Sequence, residues 1–312
     1  MHASASAPLS AHELCEMIRQ ALPYDPARLG RVLRHDADSG LVEVQANTPW
    51  KSIASALRPG DAQAASTRTT FPTVGESIAR NAAGPDGRPA VMHVDSLTLV
   101  TPGGELRRVN RVAHSALFGL VVGGQGLFGA LYSITLRIES LARAIAEAVP
   151  VETVTLDATG EPTRPLQLFL PPEELAGFLE QARAQCADWR TAISSAEVRR
   201  TLPKDETILC WSRREYASVT LHLAERRTIG GSVRSTQLRR ELIDSAIARG
   251  GGFPIACTPE ATREQTEACY PQLRTVLAEK RRIDPEEKLV NAWYLHHRSL
   301  FGRSSCEQRW NR

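Results

Sequence analysis

The chain has 312 residues, 42% of them hydrophobic and 23% charged, which suits one large domain or two ordinary ones and excludes a disordered chain. Lys and Arg number 38 against 35 Asp and Glu, a net charge of +3 that is too mild to point to nucleic acid. The six cysteines (15, 186, 210, 257, 269 and 306) form no C-x-x-C pair, so they read as free thiols in a reducing compartment; with no basic stretch leading into an apolar one at the start, the expected location is cytoplasmic.

Ser10-Ala11-His12-Glu13 is a capping box opening a helix with Leu14, Ile18 and Leu22 on one face, ended by Pro23. Leu41 to Ala46 alternates, with Val42 and Val44 to one side, and reads as a strand. Thr48-Pro49 starts a second helix, with Trp50, Ile53 and Leu57 inward and Pro59-Gly60 as its stop. From 73 to 138 glycines are frequent and strands short: Ser96 to Val100 and Leu106 to Val109 flank the turn Pro102-Gly103-Gly104. Leu117 to Leu136 carries no charge and is long enough to cross a bilayer. Its five glycines each cost about 1 kcal/mol in a helix, however, so it reads as a buried element, a Gly-rich turn and a strand from Leu131 to Ile138 with one packed and one mixed face. No membrane association is expected.

A boundary is expected near 140–165, with Thr159-Gly160-Glu161-Pro162 as the exposed linker. Within it, Val151 to Val154 reads as a strand, and beyond it Pro171-Pro172-Glu173-Glu174 opens a helix facing inward with Leu175, Phe178, Leu179 and Ala182. Thr207 to Ser212 and Ala217 to Leu223 read as strands, and Arg234 to Arg249 as a helix stopped by Gly250 to Gly252. Thr258-Pro259 starts a short helix, and Leu273, Val276 and Leu277 mark another. Strands and helices mixed without a βαβ rhythm give an α+β fold.

Two Gly-rich segments could carry chemistry: Pro72 to Gly84 and Val122 to Ala130. Glycines let backbone N–H groups approach a phosphate closely. Neither segment is a Walker loop or a Rossmann fingerprint, and each alone also fits an ordinary tight turn. His296 and His297 are sequence neighbours, which point apart on a helix and do not jointly hold a metal. His222 reads as a strand-face residue, the paired arginines as solvated faces, and no Gly-x-Ser-x-Gly elbow supports a hydrolase. No residue stands out as a catalytic acid, base or nucleophile.

Taken in order, T-V-G-x-S-I-A-x-N-A-x-G, a strand pair with a G-G-E turn, and L-F-G-L-V-V-G-G-Q-G-L-F-G resemble the PCMH-type FAD-binding domain of the vanillyl-alcohol-oxidase type, over roughly residues 28 to 138. This is the flavin fold of sugar-lactone and alditol oxidases and of sterol side-chain reductases. Asp284-Pro285 through Asn291-Ala292-Trp293-Tyr294 resembles the family's C-terminal return, and Thr258 to Lys280 resembles bacterial FAD-linked oxidoreductases of the group. The resemblance implies an FAD-binding domain over 1–142, a cap or substrate domain over 143–275, and a return to the flavin domain over 276–312. It places Gly75, Ser77 and Asn81 along the pyrophosphate or ribityl chain, with Gly84 closing that loop. Gly126, Gly129 and Ala130 would lie near the adenine end, and Asn291 and Trp293 near the isoalloxazine, although Trp293 and Tyr294 also fit a purely interfacial role.

The sequence departs from the family at three points. No glycine precedes Gly30, so the first phosphate loop is expected to be missing and the domain truncated at its N-terminus. Glu76 stands where a second glycine is usual, with Arg80 as a possible counter-charge. The cap carries Phe253-Pro254-Ile255-Ala256-Cys257 where relatives have His and Arg. The implied function is an FAD-linked oxidoreductase moving hydride from a small organic substrate to a non-covalently and weakly held flavin, acting with a partner chain or as a homo-oligomer. The alternative is a scaffold or partner-binding protein that keeps the fold without catalysis.

Overall fold

The structure is a computed structural model that describes residues 6–56, 71–156, 162–203, 206–225 and 228–302. The chain divides into two compact units. One comprises Met1–Ala148, Glu206–Leu209 and Arg274–Leu295; the other comprises Val149–Asp205, Cys210–Leu273 and His296–Arg312. Both combine helices with antiparallel sheet, as an α+β chain should.

The first unit opens with α1 (Ala11–Arg19), where the Ser10 hydroxyl accepts from Glu13 N–H and Leu14, Met17 and Ile18 are buried. The helix ends earlier than Pro23 suggests. Gln20 caps it, Ala21 turns left-handed at φ 53°, and Leu22 is left exposed off the helical face. Strands β1 (Val32–Asp36), β2 (Leu41–Gln45), β3 (Val94–Val100), β4 (Leu106–Asn110) and β5 (Ala130–Arg137) form one sheet in the order β1-β2-β5-β3-β4. β5 is central, pairing Leu136 with Val42 of β2 and Ile134 with Leu97 of β3. It therefore buries Ser133 and Thr135 as well as Ile134 and Leu136, and its mixed face is covered. Leu14, Ile18 and Leu29 meet Val100, Ala130 and Leu289 in one core cluster.

The expected second helix is a 3-10 stretch, Trp50–Ala56; Leu57 and the Pro59-Gly60 stop lie outside the described residues. α2 (Val74–Ala79) is capped by Thr73, whose hydroxyl accepts from Glu76 N–H. The charge-free stretch after Leu117 resolves into α3 (Ser115–Val121), a glycine turn and β5. Among the described residues, no helix is long and apolar enough to cross a membrane. α4 (Ile138–Ala146) follows β5 directly, with no side-chain cap to announce it.

The second unit is built on a sheet of β6 (Val151–Thr155), β7 (Thr163–Leu170), β8 (Ile193–Thr201) and β9 (Tyr216–Ala224), ordered β6-β8-β9-β7. Two long helices belong to this unit: α5 (Leu175–Asp188), which buries Phe178 and Ala182, and α6 (Ile229–Ala248), which buries Leu238 and Leu242. Gln181 and Gln185 of α5 both donate to the Ser245 hydroxyl of α6, at 3.1 Å. The buried Arg239 guanidinium donates to the carbonyls of Arg164 and Pro165 in β7, at 2.6 and 3.0 Å. Gly250, at φ 73°, stops α6. Of the expected linker, residues 159–161 lie outside the described residues, and the strands that precede and follow it, β6 and β7, belong to one sheet of the second unit.

Two elements differ in kind from expectation. Residues 207–212 form a turn instead of a strand. The Thr207 hydroxyl accepts from Asn81 Nδ2 at 3.2 Å, and the neighbouring Glu206 takes both arms of Arg111 at 2.9 Å, so side chains fix this segment where a strand would need a ladder. Thr258-Pro259 begins a turn, and the helix starts later as α7 (Arg263–Cys269), where Thr262 and Gln265 form a reciprocal capping box. α8 (Leu273–Ile283) and α9 (Ala292–Leu300) follow.

Candidate functional site

Two neighbouring cavities open in the first unit. The smaller, about 160 Å3, is lined by Ala46, Asn47, Thr73, Gly75, Glu76, Ala79 and Leu131; the larger, about 440 Å3, by Ala21 to Pro23, Gln125 and Lys288 to Asn291. Tyr24, Pro26 and Gly126 line both. The larger volume falls within the range usual for small-molecule sites. Burial pushes the Tyr24 hydroxyl up to about 12, so a neutral phenol stands where the cavities meet.

The sequence-derived residues divide between wall and support. Gly75, Gly126 and Asn291 line the cavities. Gly126 adopts φ +77°, and a side chain there would enter open space, which leaves room for a ligand against its backbone. Gly75 owes its lack of a side chain first to packing: its N–H donates to the Ala46 carbonyl at 2.7 Å, and a Cβ would stand 2.5 Å from that oxygen. Gly129 sits where a Cβ would collide with the buried Leu99 side chain, and Ala130 pairs with Val100 in the core cluster. Ser77 turns inward, its hydroxyl donating to Thr73 O at 3.1 Å and accepting from Trp50 Nε1 at 3.0 Å. Asn81 is buried in the left-handed conformation at φ 47°. Gly84 closes its loop by donating to Arg88 O at 2.6 Å. Trp293 is half-buried on α9 and lines neither cavity, whereas Tyr294 is fully buried with its hydroxyl on Glu287 at 2.8 Å.

The wall also uses residues that no motif marked: Tyr24, Asn47 and Lys288. Pro23 and Pro26 bracket Tyr24, and that punctuation was the one available signal. Glu76 faces the smaller cavity, where its carboxylate approaches the Thr73 hydroxyl at 3.3 Å. The Arg80 guanidinium lies over the Phe71 ring, 4.9 Å from its centroid.

Beside Gly84 lies buried His93. Its Nδ1 meets Ser140 Oγ at 3.0 Å, and its Nε2 has no partner among the described residues. Burial pulls the imidazole below its ordinary value, with Arg137 and Arg88 adding to the shift and Asp86 opposing it. A lowered folded-state value means that the unfolded chain binds more protons, so stability is lost as pH falls through the ordinary histidine value. One proton's difference sets a limit of about 1.4 kcal/mol per pH unit. We expect the melting temperature to drop between pH 7 and 5, and His93→Gln to flatten that drop. An equally steep profile in the variant would contradict the assignment.

The second unit holds a separate cavity of about 260 Å3 with Arg213 and Tyr216 in its wall, where Phe169 and Trp211 stack 4.9 Å apart. Burial pushes the Cys269 thiol in this wall up to about 11, which makes it a poor nucleophile at neutral pH. Cys257 is exposed, and Cys306 lies outside the described residues. Among the described residues, no three His, Cys, Asp or Glu side chains cluster to hold a metal.

Residues 18–110 match the model of the FAD binding domain family, and the match indicates FAD binding. This segment contains the end of α1, strands β1 to β4 and the Gly75 loop, so it supplies most of the wall of the smaller cavity, with Gly126 and Leu131 lying beyond it. The chain is also 28% identical over 117 residues to an uncharacterized oxidoreductase, ORF5 in the fasciation locus of Rhodococcoides fascians, over 36% of this chain and 27% of that protein. The chain thus matches about a quarter of that relative's length. Together the two matches show an FAD-binding segment in this chain and a likeness to a protein described as an oxidoreductase.

Proposed function

We propose that the protein is an FAD-linked oxidoreductase in which hydride passes from a carbon of a small organic substrate to the flavin, with oxygen or another acceptor taking the electrons on. The observation that carries this reading is Gly126, left-handed, open on its side-chain face and shared by two cavities, one of which abuts the matched FAD-binding segment. The flavin supplies the redox chemistry; the protein supplies binding and orientation. Gly75, Gly126, Asn47 and Asn291 form the wall against it, and Tyr24 offers a neutral hydrogen-bond donor where the cavities meet.

We expect the flavin to be held without a covalent bond: among the described residues, neither cavity has a His or Cys in its wall. Acid precipitation of the FAD-loaded protein should leave the flavin in the supernatant; flavin in the pellet would overturn this. Anaerobic bleaching of the bound flavin by small alcohols or hydroxy acids tests the hydride step, and a spectrum unchanged by every such donor counts against it.

Glu76 sets a limit on affinity. An exposed carboxylate close to a pyrophosphate costs about 1 kcal/mol in a high-dielectric setting. Glu76→Gln is therefore expected to tighten FAD binding several-fold, most clearly at low salt. Weaker binding in the variant, measured by fluorescence titration, would show that Glu76 is not near the phosphates.

A further inference from the structure

The Gly-rich turn that lines both cavities is held by two side chains of the C-terminal segment. Asn291 Nδ2 donates to the Gln125 carbonyl at 2.8 Å, and Lys280 Nζ donates to the Leu127 carbonyl at 3.0 Å. These carbonyls flank Gly126. We infer that Lys280 and Asn291 act together as a clamp that sets the Gly126 peptide for FAD, with Lys280 a positioning residue of the flavin site. The inference rests on the flavin reading above.

Three observations support the clamp. First, Gln125 and Gly126 are successive left-handed residues, at φ 56° and 77°. Such a pair is not a conformation a non-glycine residue holds without outside support. Second, a trans peptide points its N–H opposite to its C=O. Fixing the Gln125 carbonyl on Asn291 therefore fixes the Gly126 N–H away from it, and that N–H has no acceptor among the described residues. An oriented, unused backbone donor on a cavity wall suits a phosphate oxygen.

Third, Lys280 is fully buried, an expensive place for an ammonium. It pairs with buried Asp284, which also accepts the N–H groups of Lys288 and Leu289 at 2.9 Å. Lys288 and Leu289 also line the larger cavity. One buried ion pair thus fixes both the glycine turn and the 288–291 wall.

The test uses two variants of the full chain. Asn291→Asp keeps the oxygen that accepts Tyr294 N–H at 2.9 Å and so keeps the start of α9, while replacing the donor to Gln125 O with an acceptor. Lys280→Met with Asp284→Asn removes both charges and keeps an oxygen for one of the two N–H groups of Lys288 and Leu289. FAD affinity is measured by fluorescence quenching, the environment of the bound flavin by visible circular dichroism, and folding by melting of the FAD-free protein. Each variant is expected to bind FAD at least tenfold more weakly, with an altered visible dichroism and a near-native melting temperature. Wild-type affinity and dichroism in a folded Asn291→Asp protein would overturn the clamp, even if the double variant fails to fold. Should the unmodified protein take up no FAD, the flavin reading itself fails and the inference with it; the clamp alone fails only when wild-type and variants bind alike.

Discussion

Replacing Gly75 by Ala is expected to destabilise the protein by about 3 kcal/mol, at the upper end of what overpacking normally costs. The added methyl would stand 2.5 Å from the Ala46 carbonyl oxygen and 3.0 Å from the Ala46 Cβ, in a spot where Gly75 N–H already bonds that oxygen at 2.7 Å. The backbone carbonyl of Ala46, just after β2, cannot swing aside as a side-chain tip can, so the start of α2 must shift away from it. For a protein of this size, the melting temperature should fall by about 5 °C. Gly129→Val should behave similarly, because its side chain would collide with buried Leu99. An unchanged melting temperature for Gly75→Ala would mean that Gly75 does not sit against the Ala46 carbonyl as described.

Gly126→Asn is expected to do the opposite, sparing the fold and damaging the site. Asn tolerates the left-handed region, and no atom lies within 4 Å of the position its Cβ would take. The side chain would instead enter the space shared by the two cavities. We expect a melting temperature within a few degrees of wild type and at least tenfold weaker FAD binding, about 1.4 kcal/mol. A folded Gly126→Asn protein with unaltered FAD affinity would place the flavin elsewhere. The two glycines separate the demands on this segment: one is small so that the fold closes, the other so that a ligand can approach.

The sequence disclosed most where side-chain alternation and burial coincide. β2, β3, β5 and β9 carry clear period-2 patterns and occupy central or well-covered positions. β1 is a sheet edge with Arg34, His35 and Asp36 in its run, and β8 carries Arg199 and Arg200, so neither reads as buried. Thr207 to Ser212 has strand composition, but hydrogen bonds from Asn81 and Arg111 to residues distant in sequence decide its conformation, and a local pattern contains none of that. At the site, glycines mark the turns legibly because few other residues serve there. Ser77 carried a motif yet faces Trp50, while Lys280 and Tyr24 carried none and reach the turn and the cavities through tertiary folding alone.

The central claim is that the first unit binds FAD in the cavities around Gly126. The most direct measurement is a titration of FAD into the flavin-stripped protein, followed by fluorescence quenching and repeated with Gly126→Asn. The account predicts saturable binding of one FAD per chain, weakened by the variant. Absence of saturation up to about 1 mM FAD, equivalent to less than about 4 kcal/mol of binding free energy, or equal binding by both proteins, would contradict it.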